Sequence, residues 1–348
     1  MAMTIVEART ITGGVDTHLE FHVAAALDPV GTLLGTKTFA ANTSGYKALC
    51  SWLSAFGAVA KVGIEGTGSY GAGLARFLSQ HNIAVIEVNR PDRGAQYRSG
   101  KSDPLDAVEA ARAALGGRAT AISKSRDGHV EAIRVLLVAK RSARQARTKA
   151  IIQMRHLGIT APDELHRRLQ GLTVKSLVNE AARLRPRRSS DVVTAATKAA
   201  LSSIAHRIGA LDDELADLDE QITAHVKAVA PELLARFGVG PDTAASLLVA
   251  AGDNPQRLRS EAAWAHLCGA APIAASSGKS AGHFRLDNGG DRQANSALWR
   301  IVMVRIAHDP RTTAYFERRV KEGHTKRDVI RILKRYVARE LYRYLPRA

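Results

Sequence analysis

Apolar and polar positions along residues 11–115 follow two rhythms, one short and one helical. "GGVDTHLEFHVAAALDP" gives two short apolar runs around a turn, and "GTLLGTKTFAA" gives a third strand. "SGYKALCSWLSAFG" opens on Ser44, an N-cap type, and sets Tyr46, Leu49, Trp52 and Leu53 at helical spacing. "AVAKVGIEG" predicts a buried strand, "GSYGAGLARFLSQHN" a helix and "IAVIEVN" another strand. A last helix opens at Asp103 in "KSDPLDAVEAARA". There Asp before Pro suits a helix start, and a carboxylate in the first turn suits the helix dipole.

Three strands, helix, strand, helix, strand, helix is the order of an α/β ribonuclease H-like (RuvC-like) domain, expected over 10–125. Residues 126–230 read as basic helices followed by a coiled coil. In the latter, Ile204, Ile208, Leu211, Leu215, Leu218, Ile222 and Val229 fall on steps of four and three, with His225 filling the gap. Its acidic flanks (Asp212, Asp213, Glu214, Asp217, Asp219, Glu220) turn it away from polyanions, and the seam predicts a homo-oligomer. Residues 231–348 form the third, mostly α part. It opens on a helix-hairpin-helix pattern, "LLARFGVGPDTAASLLVAAGD", whose Gly238-Val239-Gly240 turn is expected to offer backbone N–H groups to a phosphate.

Charge changes the picture. The 348 residues carry 50 Lys+Arg against 33 Asp+Glu, a net charge of +17. Residues 124–190 hold 16 basic and 5 acidic side chains and residues 285–348 hold 16 and 7, so these blocks exceed the whole net charge. A polyanion, and specifically nucleic acid, is the expected partner. Lys140, Arg144 and Arg147 share a helix face suited to phosphate contact, with Arg141 and Lys149 widening it. No run approaches 18 uninterrupted apolar residues, and the N-terminal "MAMTIVEARTITGG" lacks an apolar core of signal-peptide length. Two cysteines, Cys50 and Cys268, have neither metal-ligand spacing nor a disulfide pattern, so a reducing cytoplasm is expected.

Phosphodiester chemistry with two metal ions needs clustered carboxylates. A sheet of the expected order supplies them from the first strand, the end of the fourth and the start of the last helix. Asp16 sits inside strand one, Glu65 ends an apolar strand, and Asp103 and Asp106, three apart, share one helix face. A charge in such strands has a desolvation cost that structure alone does not explain. His18 and Glu20, close by, read as turn or surface residues. Further on, "APIAASSGKSAG" packs Ser276, Ser277 and Ser280 into a small-residue loop near Lys279, Arg285 and Arg292. Chemistry alone leaves three readings of it open: a serine nucleophile, a passive phosphate site, or a plain loop.

The ordered set "GVDTH", "IEGTGSYG", "KSDPLDA", basic helices and "APIAASSGK…RLDNGGDRQANSALWRI" resembles the DEDD transposases of the insertion sequence 110 family, from about residue 12 to 345. The resemblance implies that Asp16, Glu65, Asp103 and Asp106 hold magnesium, two ions in the usual arrangement. It also implies that the serine before the glycine of "SSGK", Ser277 with Ser276 as neighbour, attacks a DNA phosphate. It further implies donor and target DNA as substrates, a structured non-coding RNA as guide, and an active centre completed by another subunit. A Holliday-junction nuclease is the competing enzyme, needing the carboxylates but not Ser277.

Overall fold

A computed structural model describes residues 9–88, 102–186, 191–254, 258–274, 284–287 and 289–346. The chain forms two compact units, one from Met1–Gly128, Ala250–Leu267 and Pro346–Ala348, the other from His129–Val249 and Cys268–Leu345.

The first unit is a six-stranded mixed sheet with helices on both faces. In chain order it runs β1 (Thr10–Thr17), β2 (Phe21–Leu27), β3 (Leu33–Ala40), α1 (Thr43–Ser54), β4 (Ala58–Glu65), α2 (Ala72–Gln80), β5 (Ala84–Val88), α3 (Asp103–Leu115) and β6 (Ala121–Ile122). The strand order is β3-β2-β1-β4-β5-β6, with β1 antiparallel to β2 and parallel to β4, and β4 parallel to β5. This is the ribonuclease H-like arrangement, extended by the short β6 that the sequence pattern did not reveal. Asn42, not Ser44, caps α1: its Oδ1 accepts from the Gly45 N–H at 3.0 Å, and Ser44 lies inside the helix.

Strand parity sorts the sheet's two faces. Ile11, Val15, Val62 and Ile64 point to one side and pack with Leu49, Leu53, Leu74 and Leu78. Each such fully buried leucine contributes about 1.5–3 kcal/mol. Val23 and Ala25 face the other side and meet Ala107 and Val108 of α3. Helix α3 approaches closely because the sheet offers glycine beneath it. A Cβ on Gly14 would lie 2.2 Å from the Ala107 carbonyl oxygen, and one on Gly63 would lie 2.5 Å from that of Ala110.

The second unit is built on two long helices, α4 (His129–Ile159) and α7 (Val192–Val229), with α5 (Asp163–Leu169) and α6 (Val174–Ala182) between them. His129 meets His225 and Arg147 meets Asp212, so α4 and α7 run antiparallel. The apolar seam of α7 is thereby covered in part within the chain: Ile208, Leu218 and Ile222 are buried, while Ile204, Leu211, Leu215 and Val229 are half-buried. Its buried members are Leu201, Ala205, Ile208, Leu218, Ile222 and Val226, facing Val130, Ile133, Leu137, Ala143, Ala150 and Met154 of α4. The stripe expected to pair between chains is thus shared in part with α4 of the same chain. A heptad pattern marks a stripe that must be covered and does not say which chain covers it.

Next come α8 (Pro231–Leu234), α9 (Pro241–Ala251) and α10 (Glu261–Leu267), the last within the first unit. The chain closes with a two-stranded ribbon of β7 (Pro272–Ala274) and β8 (Phe284–Leu286), then α11 (Arg292–His308), α12 (Pro310–Lys321) and α13 (Lys326–Tyr342). Among the described residues, no helix is long and apolar enough to cross a membrane.

Candidate active site

The close seat of α3 on β1 and β4 decides where its first turn falls. Ser102 holds the extended N-cap position without a side-chain cap bond, Pro104 follows in the first turn, and Asp103 and Asp106 are the acids of that turn. Asp103 is therefore inside the helix and is not its cap, so its carboxylate is left for another use. Asp16 lies one residue from the end of β1, on the same sheet face as Gly14, and so beneath α3. Val15 pairs with Ile64, which makes Glu65 the neighbour of Asp16 on the adjacent strand. The Glu65 carbonyl accepts from the Thr17 hydroxyl at 2.8 Å, which ties the two strand ends together.

His18 completes the group. Its Nε2 lies 3.1 Å from Asp16 Oδ2 and 3.4 Å from Asp103 Oδ2, and its ring stacks on Phe21 at 4.7 Å between centroids. One ligand atom from each of Asp16, His18 and Asp103 falls within 4.8 Å of the others. Sequence reasoning set His18 aside as a turn residue. The signal that could have found it is parity, because a residue two beyond Asp16 faces the same side of the strand.

Crowding shows in the electrostatics. The Asp16 side chain is 14% exposed. Burial pushes its pKa above the ordinary carboxylate value, His18 opposes this, and the charges of Asp106 and Asp103 raise it further. Asp106 is thus close enough for its charge to be felt at Asp16. Several carboxylates of hard oxygen with too little positive charge among them fit a divalent cation such as magnesium or manganese.

The basic residues predicted to contact phosphate fare differently. Lys140 is 3% exposed, and its Nζ is bonded to Asp219 of α7 and Asp242 of α9. It occupies a seam position of α4 and is removed from any solvent-facing cationic surface, which corrects the three-residue face. Arg147 pairs with Asp212, while Arg144, 55% exposed, lies 3.4 Å from Asp242. The acidic flank of α7 therefore neutralises part of the basic block on α4.

Within the glycine turn the Gly240 donor is already used. The Val239 N–H donates to the Arg236 carbonyl at 3.0 Å and the Gly240 N–H to the Thr243 hydroxyl at 3.0 Å, so neither is free for phosphate. Gly238 holds φ 79°, and a Cβ there would lie 3.3 Å from the Ile301 carbonyl oxygen and from Arg305 Cγ of α11. The first turn of α9 carries Asp242, whose pKa burial would raise but which the hydrogen bond and charge of Lys140, then Arg144, hold below the ordinary value. Arg292 stands exposed at the start of α11. Ser276, Ser277, Ser280, Lys279 and the side chain of Arg285 lie outside the described residues.

Comparison with known proteins bears on this geometry. Residues 13–157 match a family profile described as a transposase of the DEDD IS110 type, and residues 230–317 match one described as a transposase of the IS116/IS110/IS902 family. The chain is similar to an uncharacterized 43.6 kDa protein of insertion element IS110 from Streptomyces coelicolor, 33% identical over 125 residues, 35% of this chain and 31% of that protein. It is also similar to an uncharacterized 42 kDa protein of insertion element IS900 from Mycobacterium paratuberculosis, 28% identical over 130 residues, 36% and 33% of the two chains. These matches span about a third of each relative's length.

Proposed function

The chain belongs to the insertion sequence 110 family of transposases, and on that premise we propose that it cuts and rejoins DNA strands of a mobile element. The observation that carries this reading is the gathering of Asp16, His18 and Asp103 under the first turn of α3, with the charge of Asp106 felt at Asp16. Asp16, Glu65, Asp103 and Asp106 would hold magnesium. When bound, magnesium supplies positive charge to the attacking and leaving oxygens of a phosphodiester exchange. His18 orients the Asp16 and Asp103 carboxylates through its Nε2, and Phe21 fixes the ring. Thr17 ties the end of β1 to that of β4 and so sets the spacing of Asp16 and Glu65.

Ser277 is the nucleophile in this reading. Its Oγ attacks a DNA phosphate, forms a transient phosphoserine and releases the strand's hydroxyl. A hydroxyl of the partner strand then attacks the same phosphorus and frees the serine. A structured RNA encoded beside the gene would pair with donor and target DNA, leaving the protein to read backbone and shape. The net charge of +17 supports two polyanionic partners. A second copy would complete the active centre.

Strand transfer between a donor end and a target, with magnesium and the RNA that copurifies from cells carrying the element, tests all of this. Asp16→Ala, Glu65→Ala and Ser277→Ala should each abolish transfer, and Ser276→Ala should not. A Ser277→Ala protein that still cleaves branched DNA would leave a junction nuclease in place of the transposase. Absence of a discrete RNA would remove guidance from the reading.

A further inference from the structure

In the second unit a cavity of about 710 Å³ opens between the start of α11, the first turns of α13 and the chain at Gly269. Cavities of ~300–1,000 Å³ suit ligands the size of a nucleotide. Its wall carries four cations, Arg292, Arg327, Arg331 and Lys334, against one acid, Asp287. Only Arg331 among the four has a carboxylate partner among the described residues, Asp328 at 2.8 Å. Beside the cations stands Trp299, 47% exposed, whereas Trp264 is fully buried. An indole face left in solvent next to a cation cluster is available for stacking.

The site is built rather than incidental. Lys334 donates to Asn295 Oδ1 at 2.9 Å, and the Asn295 amide donates to the carbonyls of Cys268 and Gly269, both at 2.9 Å. Those two bonds fix which end of the amide faces the lysine. Burial, then the charge of Arg331, lowers the Lys334 pKa, as expected for an ammonium with a neutral acceptor and too little counter-charge. At the floor Gly269 and Gly290 approach backbone to backbone: a Cβ on Gly290 would lie 2.2 Å from the Gly269 nitrogen.

We propose that this cleft binds single-stranded nucleic acid, with a phosphate seated on Lys334, Arg292 and Arg327 and an unstacked base laid on Trp299. A duplex keeps its base faces stacked on one another, so an exposed indole gains nothing from it. Cations beside an aromatic face are the general means of holding one strand. The inference rests on the transposase reading only for the source of that strand, an end opened during exchange.

The test uses the full-length protein and fluorescence anisotropy. The probes are a thymidine strand of about 12 nucleotides, within the site sizes single-strand binders cover, the same strand with abasic sites, and the uridine RNA. Wild type should prefer the thymidine strand to the abasic one by about tenfold, the scale of one stacked base. Trp299→Ala should erase that preference and Trp299→Phe should keep most of it. Arg327→Ala should weaken both strands and reduce the slope of log affinity against log salt by about 0.7. The tighter of the thymidine and uridine strands identifies the occupant as DNA or RNA. A base preference that survives Trp299→Ala, or an unchanged affinity and salt slope in Arg327→Ala, overturns the cleft. Strand cleavage by the same preparations separates the two ideas. Cleavage with no effect of the cleft variants sinks this inference alone, and cleft effects without any cleavage sink the transposase reading alone.

Discussion

Asp16 keeps a carboxylate on the β1 face that it shares with Gly14 beneath α3, and its neighbours make that charge costly. An acid whose pKa is raised by folding destabilises the fold wherever it is ionised. Without a divalent cation, Asp16→Asn should therefore melt at a higher temperature than wild type near pH 7. Adding cation should reverse the order. Wild type gains about 2.7 kcal/mol when the cation stands at ~100 times its Kd, and the variant should gain little. Differential scanning calorimetry with and without manganese reads both, and a variant stabilised as strongly as wild type would put the cation elsewhere. His18 touches two of the same carboxylates. Partners that orient metal-holding groups are typically worth ~10–100-fold in metal affinity. His18→Ala should shift the manganese titration by that factor while leaving the metal-free melting temperature close to wild type.

Among elements, α3 is placed by what the sheet omits. Gly14 has no room for a methyl group, since backbone atoms of Ala107 and Ala111 both lie 2.2 Å from the Cβ position. Gly14→Ala must lift the helix, at a cost of about 1–3 kcal/mol as in other overpacked cores. It should also blunt the manganese response, because Asp103 and Asp106 move with the helix, and the same calorimetry would show both losses together. Much of this was legible beforehand. The strand runs and the helix opened at Asp103 follow from periodicity, and the acids of the first strand and last helix are the ones the fold brings together with His18. The pairing of α4 with α7 was not legible, because period shows a stripe and not its partner. Lys140 illustrates the loss: it looked like one of three phosphate contacts and is instead a buried link among α4, α7 and α9. Lys140→Met should leave nucleic-acid affinity within about twofold, far less than the loss of a phosphate contact would bring, and should lower stability near pH 7, because removing one partner of a buried ion pair leaves the Asp242 charge with less to oppose it. It should also change acid stability. Asp242 has a depressed pKa, so its contribution is present above the ordinary carboxylate value and is lost as pH falls through the folded one. Denaturant unfolding of wild type should thus weaken below about pH 4, and the variant should lose less over the same range.

Over the whole molecule, the net positive charge and the carboxylate cluster occupy different units. Residues 129–249 and 268–345 hold 34 basic and 20 acidic side chains, +14 of the total +17, whereas the carboxylates belong to the other, nearly neutral unit. Attraction for a phosphate backbone thus comes from one unit, and the carboxylate cluster of the other repels that backbone until a cation neutralises it. Binding and cutting should therefore separate. Asp16→Ala should lose strand transfer and keep the affinity of wild type for the same DNA, with an unchanged slope of log affinity against log salt. For six or more duplex phosphates that slope predicts a fall of about a thousandfold between ~50 and ~200 mM salt. In wild type without divalent cation, affinity should be equal to or below that of Asp16→Ala, because only wild type retains the full repulsive charge. Filter binding across a salt series, with and without magnesium, distinguishes the cases. If Asp16→Ala lost binding along with transfer, the carboxylates would be part of the grip on DNA and the division of labour between the units would fail.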